Sequence, residues 1–119
     1  TPKTSSAASD VYKRQVEDFD LKKSKKGIRV KNISSSQIKP AAPGNVVYAG
    51  SGLRGYGNLV IIKHSDNMLS AYANNKEIIV EVGQSVSQND AISRLDKNQI
   101  IYFEIRRDGS PVDPLRYLK

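Results

Sequence analysis

Short apolar, β-rich runs bounded by polar turns recur along most of this chain, some of them alternating with polar residues at the spacing of two of a half-buried strand, and none keeps the period of a helix. The clearest case is Asn58–Lys63, NLVIIK, followed by LSAY at 69–72, with the polar insert His64-Ser65-Asp66-Asn67 between them. Two β-rich runs about so short an insert predict a hairpin. The rest of the chain reads as sheet built onto it. Upstream, Ile28, Val30 and Ile33 alternate with polar residues and predict a short strand beginning after Gly27. Residues 37–41 lead into Ala42-Pro43-Gly44, a turn in which Pro fixes φ and Gly tolerates a positive value. Residues 46–49 predict a strand that ends at Gly50-Ser51-Gly52.

Downstream, residues 77–82, 91–95 and 99–106 read as strands, separated by Gly83-Gln84, by the polar residues 85–90 and by Asp96-Lys97-Asn98. Arg107-Asp108-Gly109-Ser110 closes the last of them as a hairpin or turn. The tail from 112 to 119 carries two apolar anchors, Leu115 and Leu118. Short strands at intervals of about ten residues predict an all-β fold. The expected form is a compact β-sandwich or barrel-sandwich-hybrid-like sheet of short antiparallel strands. Residues 1–15 are rich in Ser, Ala and Lys without periodicity, and 16–26 set Glu17, Asp18 and Asp20 before the basic run Lys22, Lys23, Lys25, Lys26. The expectation is a disordered or linker segment over 1–26 and one folded domain over 27–119.

Composition narrows the chemistry. The 119 residues carry a net charge of +7 and no Cys, which excludes disulfides, thiolate metal sites and a cysteine nucleophile. Residues 1–26 hold seven basic and four acidic side chains, and residues 27–119 hold twelve and eight. Such spreading argues for a generally basic surface and against a nucleic-acid stripe, which concentrates its cations on one element. No apolar run reaches the length of a membrane span. No signal-peptide core is seen either, so the expectation for an exported protein is that these residues are a mature portion, anchored if at all through upstream sequence. The single His cannot make a His-rich site. There is no Gly-x-Ser-x-Gly elbow and no phosphate loop. His64 itself, at a strand end beside a turn, is expected to anchor that turn by a hydrogen bond.

Gly55-Tyr56-Gly57-Asn58-Leu59-Val60-Ile61-Ile62-Lys63-His64 and Ser70-Ala71-Tyr72-Ala73 resemble the core of LytM-type zinc peptidoglycan endopeptidase domains. Val47-Tyr48-Ala49-Gly50, Phe103-Glu104-Ile105-Arg106 and Val112-Asp113-Pro114-Leu115-Arg116-Tyr117-Leu118 add to the resemblance, which is nearest the NlpD and EnvC branch of amidase activators. The resemblance implies a LytM-like groove across the sheet. It also implies that the family's metal and catalytic positions fall here on Lys25, Arg29, Asn74, Ile100 and Tyr102. None of these is a zinc ligand of the usual kind, and cations at two of the positions would repel a dication. The expectation is therefore a non-enzymatic domain with no metal and no cofactor.

What the resemblance leaves is a groove lined by Arg29, Arg54, Tyr56, Tyr72, Asn74, Ile100 and Tyr102. Arg and Tyr often dominate binding energy at protein interfaces. The implied function is activation of a periplasmic N-acetylmuramoyl-L-alanine amidase during septal peptidoglycan splitting, by engaging the amidase's inhibitory helix at the cell envelope. A peptidoglycan-binding module without that role is the alternative. Ala42-Pro43-Gly44 and residues 80–86 also look like the biotin and lipoyl carriers. That class needs a Lys at an exposed hairpin tip, whereas here Lys63 precedes the tip on the strand.

Overall fold

The central hairpin forms where two β-rich runs and turn chemistry agree. Asp66 and Asn67 adopt φ of 60° and 57°, and the Met68 N–H donates to the Ser65 carbonyl at 3.3 Å. Two consecutive left-handed residues make a type I′ turn, whose twist matches that of the strands it joins. Asp108 and Gly109, at φ of 51° and 82°, repeat the device at the last hairpin. The structure is a computed structural model and describes residues 13–17, 27–32 and 37–114. Lys25 with its basic run, Ile33, Leu115 and Leu118 lie outside the described residues.

In chain order the strands are β1 (Lys13–Glu17), β2 (Ile28–Asn32), β3 (Gln37–Ile38), β4 (Gly44–Gly50), β5 (Asn58–Lys63) and β6 (Met68–Asn75). They continue with β7 (Glu77–Ile78), β8 (Ser85–Val86), β9 (Ser93–Arg94), β10 (Ile100–Arg107) and β11 (Ser110–Val112). One large antiparallel sheet runs β1-β2-β10-β6-β5-β4-β8, with β11 also on β10. β10 pairs β6 along one side, while β2 and β11 share its other side at 100–103 and 105–107. A small sheet, β3-β9-β7, makes a second layer.

The core lies between the layers. Ile28, Val30, Val46, Val60, Ile62, Tyr72, Ile101, Phe103 and Ile105 come from the large sheet, and Ile38, Val80 and Ile92 from or beside the small one. Burying each such side chain contributes about 1.5–3 kcal/mol before conformational entropy is set against it. The antiparallel all-β architecture expected from the alternation is what the chain adopts.

Three expectations need correction. Residues 77–82 form a strand only at Glu77–Ile78, because the segment changes partner. The Ile79 N–H donates to the Ile92 carbonyl, and the Gly83 N–H, at φ 94°, donates to the Val46 carbonyl on the other sheet. Residues 91–95 likewise pair only at Ser93–Arg94, where β3 and β7 flank them. The third concerns the N-terminal segment, read as a linker, in which β1 pairs antiparallel with β2 from Lys13↔Asn32 to Glu17↔Arg29. An edge strand draws its hydrogen bonds from its neighbour, so a charged sequence without alternation can supply one.

Candidate functional site

Alternation along β10 sorts its side chains onto two faces. Ile101, Phe103 and Ile105 enter the core, and Tyr102, Glu104 and Arg106 point to the outer face. Glu104 is nevertheless 3% exposed. A carboxylate buried to that extent is costly unless paired and hydrogen-bonded, and both of its oxygens are matched. The Tyr102 hydroxyl donates to Oε1 at 2.7 Å, and Arg106 Nε donates to Oε2. Burial and then the carboxylate push the Tyr102 phenol up from its ordinary value. The bond to Glu104 raises the Arg106 guanidinium likewise. The Tyr102 ring is held from two sides. It lies 6.1 Å, centroid to centroid, from Tyr56, and a Cβ at Gly27 would come within 2.8 Å of its Cζ and hydroxyl.

Beside this triad the outer face opens into a cleft of about 270 Å³, lined by Leu53, Tyr56, Leu59, Ile61, Leu69, Ala71, Glu104 and Arg106. Its floor follows from strand register. Ala71 stands opposite Glu104 on one side and Ile61 on the other, and Leu69 stands opposite Arg106 and Lys63. Directly opposed residues share a face.

Of the residues expected to line a groove, Tyr56 lines the cleft and Tyr102 stands at its edge. Arg29 is exposed on β2 directly opposite Tyr102. Ile100, two residues before Tyr102, is half-buried on the same face. Arg54 is exposed on the loop that carries Leu53 and Tyr56. Asn74 is exposed at φ 65°, a conformation Asn tolerates better than most residues, and its N–H donates to the Tyr56 carbonyl at 2.9 Å.

Tyr72 does not line the groove. It is fully buried on the opposite face, its ring 5.2 Å from Phe103 and its hydroxyl accepting from the Ala41 N–H at 2.7 Å. Two residues separate it from Asn74, but the bulge where β6 meets Asn58 and Val60 breaks the parity between them. Burial above all pushes its phenol up to about 12.

His64 serves this inner face. Its Nδ1 lies 2.8 Å from the Pro43 carbonyl and its Nε2 2.7 Å from Ser70 Oγ. A carbonyl only accepts, so Nδ1 carries the proton and Nε2 accepts from the Ser70 hydroxyl. Partial burial lowers the imidazole below its ordinary value. His64, expected to anchor the turn beside it, ties the Pro43 turn to Ser70 on β6 instead.

Sequence reasoning missed Glu104, Arg106 and the aliphatic floor. The signal was there: Phe103-Glu104-Ile105-Arg106 alternates, and its charged pair has to share a face with Tyr102.

The donor set does not suit zinc. The Tyr102 hydroxyl is engaged by Glu104, Arg29 is a cation on the adjacent strand, and Ile100 has no side-chain donor atom. Among the described residues no group of three or more His, Cys, Asp or Glu is placed to hold a metal ion.

Residues 23–114 match peptidase family M23. A lipoprotein NlpD/LppB homolog of Pseudomonas aeruginosa is 46% identical over 97 residues, 78% of this chain and 33% of that protein. The murein hydrolase activator NlpD of Escherichia coli K12 is 45% identical over 97 residues, 78% of this chain and 26% of its own length. The chain thus spans between a quarter and a third of these curated relatives. In three dimensions it resembles the catalytic domain of the prophage-encoded M23 protein EnpA from Enterococcus faecalis. The TM-score is 0.77 at 20% identity, over 96% of this chain and 97% of that one. A chain of the SpoIIQ–SpoIIIAH pore-forming complex gives 0.80 at 22% identity, over 100% of this chain and 93% of that one.

Proposed function

Because the chain belongs to peptidase family M23, we propose that it is a non-catalytic domain of that family which activates an N-acetylmuramoyl-L-alanine amidase in the cell envelope. The observation that carries this reading is the 45% identity over 97 residues to a protein named murein hydrolase activator. The relatives named as lipoproteins support a periplasmic or outer-membrane-associated setting. The outer face of the large sheet supplies the binding surface in this reading, with Arg29, Arg54, Tyr56, Asn74, Ile100 and Tyr102 around the cleft and Tyr72 only supporting it from beneath. Arg29 and Arg54 are exposed there, so an acidic or amphipathic helix, in this reading the amidase's inhibitory one, would meet opposite charge at the rim and apolar area between. Drawing that helix off the amidase opens the amidase's own catalytic site, and peptidoglycan is cut by the partner. The substitutions at the family's metal positions, Lys25, Arg29, Asn74, Ile100 and Tyr102, belong to the same reading: a surface rebuilt from hydrolysis to recognition.

Dye release from purified sacculi tests it, with this chain, a periplasmic amidase, and the two together. Release by the mixture alone, weakened by Tyr102→Ala and by Arg29→Glu, is the expected result. Release by this chain alone that a chelator abolishes would overturn the non-catalytic reading. No release in any mixture, with the chain pelleting on sacculi, would make it a wall-binding module instead.

A further inference from the structure

We infer that the recognition point of the outer face is the cleft over β5 and β6, seating an aliphatic side chain of an acidic amphipathic segment, while Tyr102 seals the neighbouring position of the family's metal. This rests on the activator reading and adds to it where the partner is gripped and by what chemistry. The cleft is walled mostly by Leu53, Leu59, Ile61, Leu69 and Ala71. At about 270 Å³ it is smaller than most small-molecule sites, which run to roughly 300–1,000 Å³. It therefore has room for one or two aliphatic side chains and offers few donors to a run of sugar rings. Leu53, 45% exposed at its mouth, is apolar area that a partner would cover.

Charge sets the rest of the occupant. Inside the cleft, Glu104 and Arg106 balance each other. Around it stand three exposed cations, Arg54 on the loop, Lys63 opposite Leu69 and Arg29 beyond Tyr102, with the exposed carboxylates of Asp66 and Asp108 in the two turns past Lys63 and Arg106. An apolar, charge-balanced pocket flanked by Arg54, Lys63 and Arg29 fits an aliphatic anchor flanked by carboxylates on one segment. The metal position next to it is closed. The Tyr102 ring sits between Gly27 and Tyr56, with its hydroxyl bound to Glu104.

The test uses the full chain and a purified periplasmic amidase, with affinity measured by biolayer interferometry. Ala71→Leu fills the cleft with apolar atoms, and Leu53→Glu puts a charge at its exposed mouth with little demand on folding. Each is expected to weaken amidase binding by about tenfold or more, the size of effect seen when an interface anchor is lost. Arg29→Glu is expected to weaken it by only about two- to threefold, and less at high salt. Wild-type binding left unchanged by both cleft variants would overturn the inference while keeping the activator. Loss of sacculus pelleting by the cleft variants, with amidase binding intact, would overturn it in favour of a glycan or stem-peptide site. A wild-type chain that binds no amidase would overturn the activator reading and this inference with it.

Discussion

The two faces of the sheet formed by β5, β6 and β10 both hold hydrogen-bonded polar groups, and they hold them differently. The inner face carries neutral groups, enclosed at Tyr72 and Ser70 and half-buried at His64. The Ala41 N–H donates to the Tyr72 hydroxyl, which lies beside Ser70, and Ser70 in turn meets His64 against the Pro43 carbonyl. Ser70 and Tyr72 are 1% and 0% exposed. The outer face carries formal charges beside an opening: Glu104 is buried, but Arg106 is a third exposed and lines the cleft. A neutral network costs less to desolvate than an ion pair, so the enclosed one stabilises the fold. The charged one stands where a partner could cover it. Period two lets the same three strands do both.

The comparison breaks most visibly on the inner face. Tyr72→Ala removes a fully buried ring packed at a tilt against Phe103 and is expected to cost about 3–5 kcal/mol, read by urea unfolding followed by circular dichroism. Tyr72→Phe keeps the ring and leaves the Ala41 N–H without its acceptor, for an expected loss of about 1–3 kcal/mol. Its amidase affinity, measured well below the melting temperature, should match that of the wild type. A Tyr72→Phe chain as stable as wild type but defective in binding would assign this hydroxyl to recognition and erase the division between faces.

On the outer face, Glu104→Gln is the informative change. It leaves Arg106 and the Tyr102 hydroxyl without their carboxylate. Arg106 is partly exposed, so water screens the loss and the expected cost is about 1–2 kcal/mol, below that of breaking a fully buried pair. The Tyr102 phenol gives a second readout. Burial and the Glu104 carboxylate both raise it, so removing the charge should let it ionise at lower pH in a spectrophotometric titration, still above its ordinary value because burial remains. An unmoved titration would mean that Glu104 does not act on Tyr102.

The apolar, β-rich run at Asn58–Lys63 beside its polar turn, and the alternation at 103–106 in β10, made the hairpin, the central strand and the all-β class legible. The short strands of the small sheet were not legible to their true ends. Their pairing is set by which neighbour the chain meets at Ile79 and Gly83, a tertiary fact with no local signature. Nor could the chain reveal β1, whose pairing is borrowed from the edge of β2. At the site, the family pattern pointed to the face that carries Arg29 and Tyr102. It erred at Tyr72 because a bulge in the β5–β6 ladder breaks parity between Tyr72 and Asn74, and parity across a bulge cannot be counted from sequence. The cleft escaped notice because Leu59, Ile61, Leu69 and Ala71 look like core residues in a one-dimensional pattern. Their side chains are apolar, and only the register shows that they point away from Phe103.

The smallest expected effect is a pH dependence that belongs to the inner face alone. The His64 imidazole lies below its ordinary value in the folded chain, with desolvation as the main cause and the Pro43 carbonyl opposing it. As pH falls through about 6.5, the unfolded chain therefore takes up a proton before the folded chain does. The stabilisation is fully present above that pH and is lost as pH falls toward the folded value. Unfolding free energies measured in urea between pH 7.5 and 5 should decline for wild type and stay flatter for His64→Asn, which has no proton to gain in that window. Amidase affinity over the same range, measured where the chain is fully folded, should not follow His64, because no atom of the imidazole lines the cleft. Were affinity to fall with the protonation of His64 while stability did not, the inner network would be part of the recognition surface. The two faces would then be coupled through β5, which carries Ile61 into the cleft and ends one residue before His64.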